Sequence, residues 1–150
     1  MTALFVRAAA LALREVPHAN GAYRDGRFEL YSRINVGVVV TGGDTYVVPT
    51  VFDADQKGLE ELAQEITELG SRLSAGTLAP PALSGATFTA WNAGQEGILS
   101  ASIPVVSPQA GALTAGLRDL TLACDHRILY GAVATRFLQA IAHHLDGQRV

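Results

Sequence analysis

Apolar residues recur at Leu4, Phe5, Ala8, Leu11 and Ala12, the three-and-four spacing of one helix face, while Arg7 and Arg14 fall off that stripe. Pro17 cannot continue a helix, so the pattern predicts a first helix over Ala3–Val16. Gly21 to Asp25 and Arg27 to Ser32 then alternate around Asp25-Gly26, the signature of a tight hairpin turn. Asn35–Val40 is a continuous β-branched run, Gly42-Gly43-Asp44 carries turn chemistry, and Thr45–Val51 reads as a further strand whose Pro49 implies an edge or an end.

From Gly58 to Ser74 the stripe of Leu59, Leu62, Ala63, Ile66, Leu69 and Leu73 predicts an amphipathic helix, with Glu60, Glu61, Gln64, Glu65 and Glu68 outside. Gly76 to Gly85, with Pro80-Pro81, reads as a linker holding one short helical turn around Ala82. Ala86–Asn92 reads as a strand followed by a Gly-rich loop through Gly97. Ile98–Val106 and Gly111–Leu117 read as two more strands, split by Ser107-Pro108. The strand from Leu120 leads into a last helix from about Gly131 to Leu145. Strands interleaved with three helices and several hairpins predict an α+β fold, with helices against one face of a largely antiparallel sheet. No internal repeat is visible.

At 150 residues and 49% hydrophobic the chain has the material for one core, and residues 1–150 are read as a single domain. A net charge of −3, with Lys and Arg scattered singly, disfavours an electrostatic grip on nucleic acid. The apolar run from Ala3 to Val16 is broken by Arg7, Arg14 and Glu15, so no membrane span is expected there. A single cysteine, Cys124, gives no disulfide and no C-x-x-C pattern, which suits a reducing compartment with the cytoplasm as default.

The segment that carries chemistry is Cys124-Asp-His-Arg-Ile-Leu-Tyr-Gly131, where an apolar strand delivers His126 to the start of a helix. Histidine is the residue type that changes charge near neutral pH, so a strand-end histidine is a candidate general base; its alternative is a ring that merely satisfies a backbone carbonyl. Cys124 lies two residues earlier and on a strand would share a side with His126. A Cys-His nucleophile pair is conceivable, although a small buried thiol is the commoner use. His143 and His144 are adjacent, hence on different helix faces, and make no metal site.

Five stretches in order resemble the catalytic domain of the 2-oxo acid dehydrogenase acyltransferases, relatives of chloramphenicol acetyltransferase. They are Arg7–Leu13 with Pro17 and Asn20, Asn35–Val40, Val47-Val-Pro49 with Asp53-Ala-Asp55, Leu78–Thr89, and Asp125-His-Arg127 with Gly131 in the family's D-H-R-x-x-D-G signature. The resemblance implies a two-layer sandwich of mixed sheet and helices, assembled as a homotrimer with active sites between subunits. It also implies His126 as the base that takes a proton from a thiol or hydroxyl attacking acyl-CoA, with no permanently bound cofactor and no metal. Asp125 and Arg127 are expected to be structural support for the turn.

Three departures qualify that likeness. The family's first helix and strand have no counterpart before residue 1, and no lipoyl or peripheral-subunit-binding segment is recognised. The connection from Gly116 to Leu120 is short. Trp91 stands where the family's T-F-T-I-S-N-L-G block has the serine that helps hold the oxyanion, and Tyr130 replaces the signature's second aspartate. Asn92 and Thr89 are then the polar candidates for the oxyanion, and Trp91, Thr89 and Tyr130 are expected to line the substrate site. For Tyr130 and Trp91 the alternatives are space-filling and a core or interface role.

Two functions follow. One is an acyltransferase moving an acetyl or related group from acyl-CoA, or from a carrier thioester, to a small-molecule acceptor in specialised metabolism, possible partners being a carrier protein or a lipoyl domain in trans. The other is a catalytically silent trimeric scaffold or binding module.

Overall fold

The computed structural model describes residues 1–42 and 44–147 of the chain. Helix α1 (Thr2–Glu15) buries Phe5, Val6 and Leu13 together with Ala3, Ala8, Ala9, Ala10 and Ala12. Its methyl-sized side chains cover more than the single stripe read from the sequence. They let it lie between α2 (Leu59–Ala75) and α3 (Gly131–Gly147) while touching the sheet below. Glu15 and His144, 2.7 Å apart, join the ends of α1 and α3.

Strands β1 (Gly21–Arg24) and β2 (Arg27–Leu30) form the expected hairpin. Its two turn residues, Asp25 and Gly26, sit at φ 51° and 74°, the left-handed pair that a two-residue hairpin requires. The next hairpin departs from the sequence reading. Asn35–Val40 divides into β3 (Val36–Val38) and β4 (Val40–Gly42), and Thr45–Val51 into β5 (Thr45–Val47) and β6 (Thr50–Val51). Pro49 has no N–H to give and interrupts the ladder, and the Val39 N–H turns to Ala90 O at 3.0 Å. The distal pair β4–β5 is thereby separated from the main sheet. Gly43, in the predicted Gly42–Asp44 turn, lies outside the described residues.

The main sheet has the order β6-β3-β7-β8-β9, with β7 (Phe88–Asn92), β8 (Gly111–Ala115) and β9 (Leu120–Cys124). It is mixed, not largely antiparallel: β3–β7 and β7–β8 are parallel, β3–β6 and β8–β9 antiparallel. Strand periodicity reports which residues share a face and is silent on the direction of a neighbour. The predicted strand Ile98–Val106 is likewise no strand. It is an extended strap returning the chain from the end of β7 to the start of β8, with Ala101, Ile103 and Val105 half-buried between exposed Ser102, Pro104 and Val106. It keeps a strand's alternation without a neighbour to ladder with, and Pro104 lacks a donor. The short turn around Ala82 is present as a 3-10 turn, Pro80–Leu83.

One face of the sheet meets the helices. Phe88 packs edge-on against Phe137 of α3 at 5.4 Å, and Val36, Val38, Ala90 and Leu113 join that core. The alternate positions Gly37, Thr50, Thr89, Ala112 and Thr114 turn to the other face, small or hydroxylated yet buried. Asn20 and Asn35 brace this polar side. Asn20 accepts from the Thr87 hydroxyl at 2.6 Å and donates to Arg33 O, while Asn35 donates to Gly85 O and accepts from Asp53 N–H.

Two glycines make opposite predictions. A Cβ at Gly116 would strike the carbonyl oxygen of Leu99, where the strap meets the end of β8, whereas one at Gly70 inside α2 meets nothing within 4 Å. Chemical denaturation is expected to show Gly116→Ala losing about 1–3 kcal/mol. Gly70→Ala is expected to gain about 0.5–1 kcal/mol from helix propensity.

Candidate active site

After Cys124 the chain turns sharply. Asp125 N–H donates to Ala110 O at 2.8 Å, and Asp125 O accepts from the N–H groups of Ile128 and Leu129. Its carboxylate accepts from the Arg127 N–H at 3.0 Å and takes the Arg127 guanidinium bidentately, at 3.0 and 2.7 Å. The guanidinium also covers the Tyr23 ring at 4.4 Å, tying the turn to β1. Buried Ile128 and Leu129 anchor the far side, and Gly131 at φ 56° makes the left-handed step into α3. His126 is left at the exposed tip. Tyr130, 63% exposed, gives its backbone oxygen to Ala134 N–H at the start of α3 and presents its ring to solvent.

The guanidinium beside Asp125 holds that carboxyl below the usual carboxylate range, and the same pairing raises Arg127. Burial pushes the Cys124 thiol up. A raised thiol carries less thiolate at neutral pH, which weighs against the Cys-His nucleophile reading.

The other candidates lie on β7. Thr89, buried, donates its hydroxyl to Gln109 Oε1 at 2.7 Å. Half-buried Trp91 meets the edge of Tyr46 at 5.5 Å. Asn92 donates to the Thr2 hydroxyl at 3.1 Å, which donates in turn to Gln95 Oε1 at 2.5 Å. Register separates Trp91 and Asn92 from His126, whereas Thr89, opposite Ala112 and through it Ala123, lies nearer the His126 end. Asn92 is opposite Ala115 and Ala115 opposite Leu120, the first residue of β9, whereas Gly111 at the start of β8 is opposite Cys124. His126 therefore sits at the other end of the sheet from Trp91 and Asn92, on the order of 15 Å away along the strands. Asp125, Arg127 and His126 are brought together; His126 and Asn92 are not.

Three clefts adjoin β7. One of about 570 Å³, the polar cleft, carries the hydroxyl and amide groups of Thr50, Thr87, Thr89 and Gln109, with Arg24 and Tyr31 also in its lining. A second, of about 600 Å³, is lined by Met1, Phe5, Leu117 and Leu120 beside Asn92 and Arg118. A third, of about 410 Å³, is lined by Trp91, Asn92, Thr41 and Glu96. Sequence reading missed Tyr46, Gln109 and Arg118. Tyr46 sits near a hairpin turn with no motif around it, Gln109 follows a Ser-Pro break read as a loop, and Arg118 lies in a connection read as merely short. Among the described residues no three His, Cys, Asp or Glu side chains converge on a metal position. No described helix is long and apolar enough to cross a membrane.

A mixed sheet with helices on one face is the architecture of the chloramphenicol acetyltransferase class. Chloramphenicol acetyltransferase itself shares the fold, with a TM-score of 0.64 at 15% identity over 96% of this chain and 77% of that one. A sequence profile of the 2-oxoacid dehydrogenases acyltransferase catalytic domain matches residues 1–118, and the chain belongs to that family. It is 32% identical over 166 positions to the Arabidopsis thaliana mitochondrial dihydrolipoyllysine-residue acetyltransferase component 3 of the pyruvate dehydrogenase complex, using 97% of this chain and 31% of that protein. The chain thus spans about a third of the length of this relative. Among solved structures, a probable dihydrolipoamide acetyltransferase from Listeria monocytogenes superposes with a TM-score of 0.91 at 29% identity, covering 97% of this chain and 70% of its own. The Azotobacter vinelandii dihydrolipoamide acetyltransferase, in which a serine, a histidine and an asparagine were studied for their catalytic roles, gives 0.84 at 25% identity over 99% and 69%.

The Asp125–Arg127 clamp yields a pH prediction. Because Asp125's folded pKa is depressed, the clamp's contribution is complete above the unfolded value of about 4 and fades as pH falls through the folded value. Thermal melts are expected to show Asp125→Asn less stable than wild type at pH 7, with the gap closing as pH drops below about 4.

Proposed function

We propose that this chain is an acyltransferase moving an acetyl or related acyl group from acyl-CoA, or from a carrier-bound thioester, to a hydroxyl or thiol of a small molecule. His126 takes the proton from the acceptor as its oxygen or sulfur attacks the thioester carbonyl. The tetrahedral oxyanion then collapses and expels the CoA thiolate, which recovers the proton from the imidazolium. Asn92 is the oxyanion donor at the Trp91–Asn92 end, and Thr89 would serve only by giving up its bond to Gln109. The cleft beside Asn92, with apolar Phe5, Leu117 and Leu120 and with Arg118 on its wall, suits the purine and phosphates of CoA.

The observation that carries this reading is the opposition of His126 and Asn92 across the sheet. Neither end holds a complete set, so a second copy must bring its His126 to the Trp91–Asn92 end, as a homotrimer with sites between subunits would. Residues 1–150 would then act as one catalytic domain, in the cytoplasm and in specialised metabolism. The Trp91–Tyr46 contact favours a second reading, in which aromatics close the site and a silent trimeric scaffold remains.

Thiol release from acetyl-CoA with hydroxyl and thiol acceptors tests the proposal. His126→Ala and Asn92→Ala are each expected to abolish release, Asn92→Ala by about 10²-fold or more. Co-refolding the two variants together is expected to restore part of the activity, because some interfaces then pair an intact His126 with an intact Asn92. A mixture as inactive as its parents would overturn the shared site. Absence of release from wild type with every acceptor would favour the scaffold.

A further inference from the structure

The polar cleft lies on the sheet face turned from the helices, and most of its polar groups already have partners. Arg33 is held by Asp53 through two hydrogen bonds of 2.9 and 2.8 Å, and Thr89 and Gln109 bond each other. Asn35 is used at both ends of its amide, and the Thr87 hydroxyl bonds Asn20. Among the cleft's charged and buried groups, two have capacity to spare. The Thr50 hydroxyl, on a residue 3% exposed, has no partner, and Arg24 spends one N–H on the Tyr31 hydroxyl at 2.9 Å. Among the described residues Arg24 has no carboxylate partner.

A buried hydroxyl left unbonded costs stability, and a valine of the same shape would relieve that cost. A threonine facing a cleft under that penalty is explained if a ligand oxygen completes it. One uncompensated guanidinium on the same cleft selects a monoanion, and its planar fork fits a carboxylate. The cleft also leads toward the proposed reaction centre: Thr89 lines it, and Trp91 lies two residues further along the same face of β7, about 7 Å away.

We propose that this cleft binds the acceptor and that the acceptor carries a carboxylate, held by Arg24 with the Thr50 hydroxyl completing its polar contacts. The inference rests on the acyltransferase reading for the word acceptor, but the anion site itself does not depend on turnover.

Calorimetric titration of the full chain with matched acids and amides tests it, using dihydrolipoate against dihydrolipoamide and 4-hydroxybenzoate against 4-hydroxybenzamide. At least one acid is expected to bind tenfold or more tighter than its amide. Arg24→Gln is expected to bring that acid down to the amide's level. Thr50→Val is expected to weaken acid binding severalfold while its melting temperature stays level or rises, a combination that a purely structural role would not give. Equal affinity for acid and amide, an acid preference that survives Arg24→Gln, or no binding of any of the four would overturn the proposal. Acid binding without thiol release from any acyl-CoA would remove the acyltransferase reading and leave the anion site. Thiol release with neutral acceptors and no acid preference would do the reverse.

Discussion

Strand β9 runs against β8 while β7 runs with it, and that single reversal governs where every candidate residue can act. With β7 and β8 parallel, their C-terminal ends share one edge of the sheet, and Trp91, Asn92 and the Gly116 turn gather there. With β9 reversed, its C-terminal end delivers His126 to the opposite edge. Backbone pairing fixes this arrangement, and no rotamer change can close a gap set by strand register. The proposed base at one end and the proposed oxyanion donor Asn92 at the other would be half-sites, which is why the proposed chemistry calls for two copies of the chain.

The turn that presents His126 is over-determined by comparison. A carboxylate taken bidentately by a guanidinium two residues on, a backbone bond to Ala110, the Tyr23 ring and two buried aliphatic side chains hold five successive residues in place. Only the histidine between them is left without a packing task. Rigid support around one exposed imidazole fits a side chain meant to meet something outside its own protomer. The polar face of the sheet shows a similar economy: Thr87 bonds Asn20 and Asn35, Thr89 bonds Gln109, and of the groups left without such a partner Arg24 and Thr50 border one cleft while Thr114 does not.

Much of this was legible in the residues. Pro17, Asp25-Gly26 and Pro80-Pro81 act through local steric rules, so the first helix, the first hairpin and the short turn at Pro80–Leu83 fall where the sequence places them. The resemblance built on Asp125-His-Arg127 and four earlier blocks led to the family that the comparisons establish. The failures share one cause. Ile98–Val106 alternates like a strand, and Thr45–Val51 reads as one, but a ladder needs a neighbour with free backbone groups, and what lies beside a segment is decided by the rest of the chain.

The sequence by itself determined the three helices, the first hairpin and the family, and it named candidate side chains for the chemistry, because local propensity, turn chemistry and motif spacing are properties of neighbouring residues. Only the tertiary structure decided that β7 and β8 lie parallel beside a reversed β9, that His126 and Asn92 stand at opposite ends, and that Thr50 and Arg24 border one cleft. Thr50 and Arg24 are 26 positions apart and His126 and Asn92 are 34, and how such residues stand to one another follows from packing a whole sheet against three helices rather than from any local pattern.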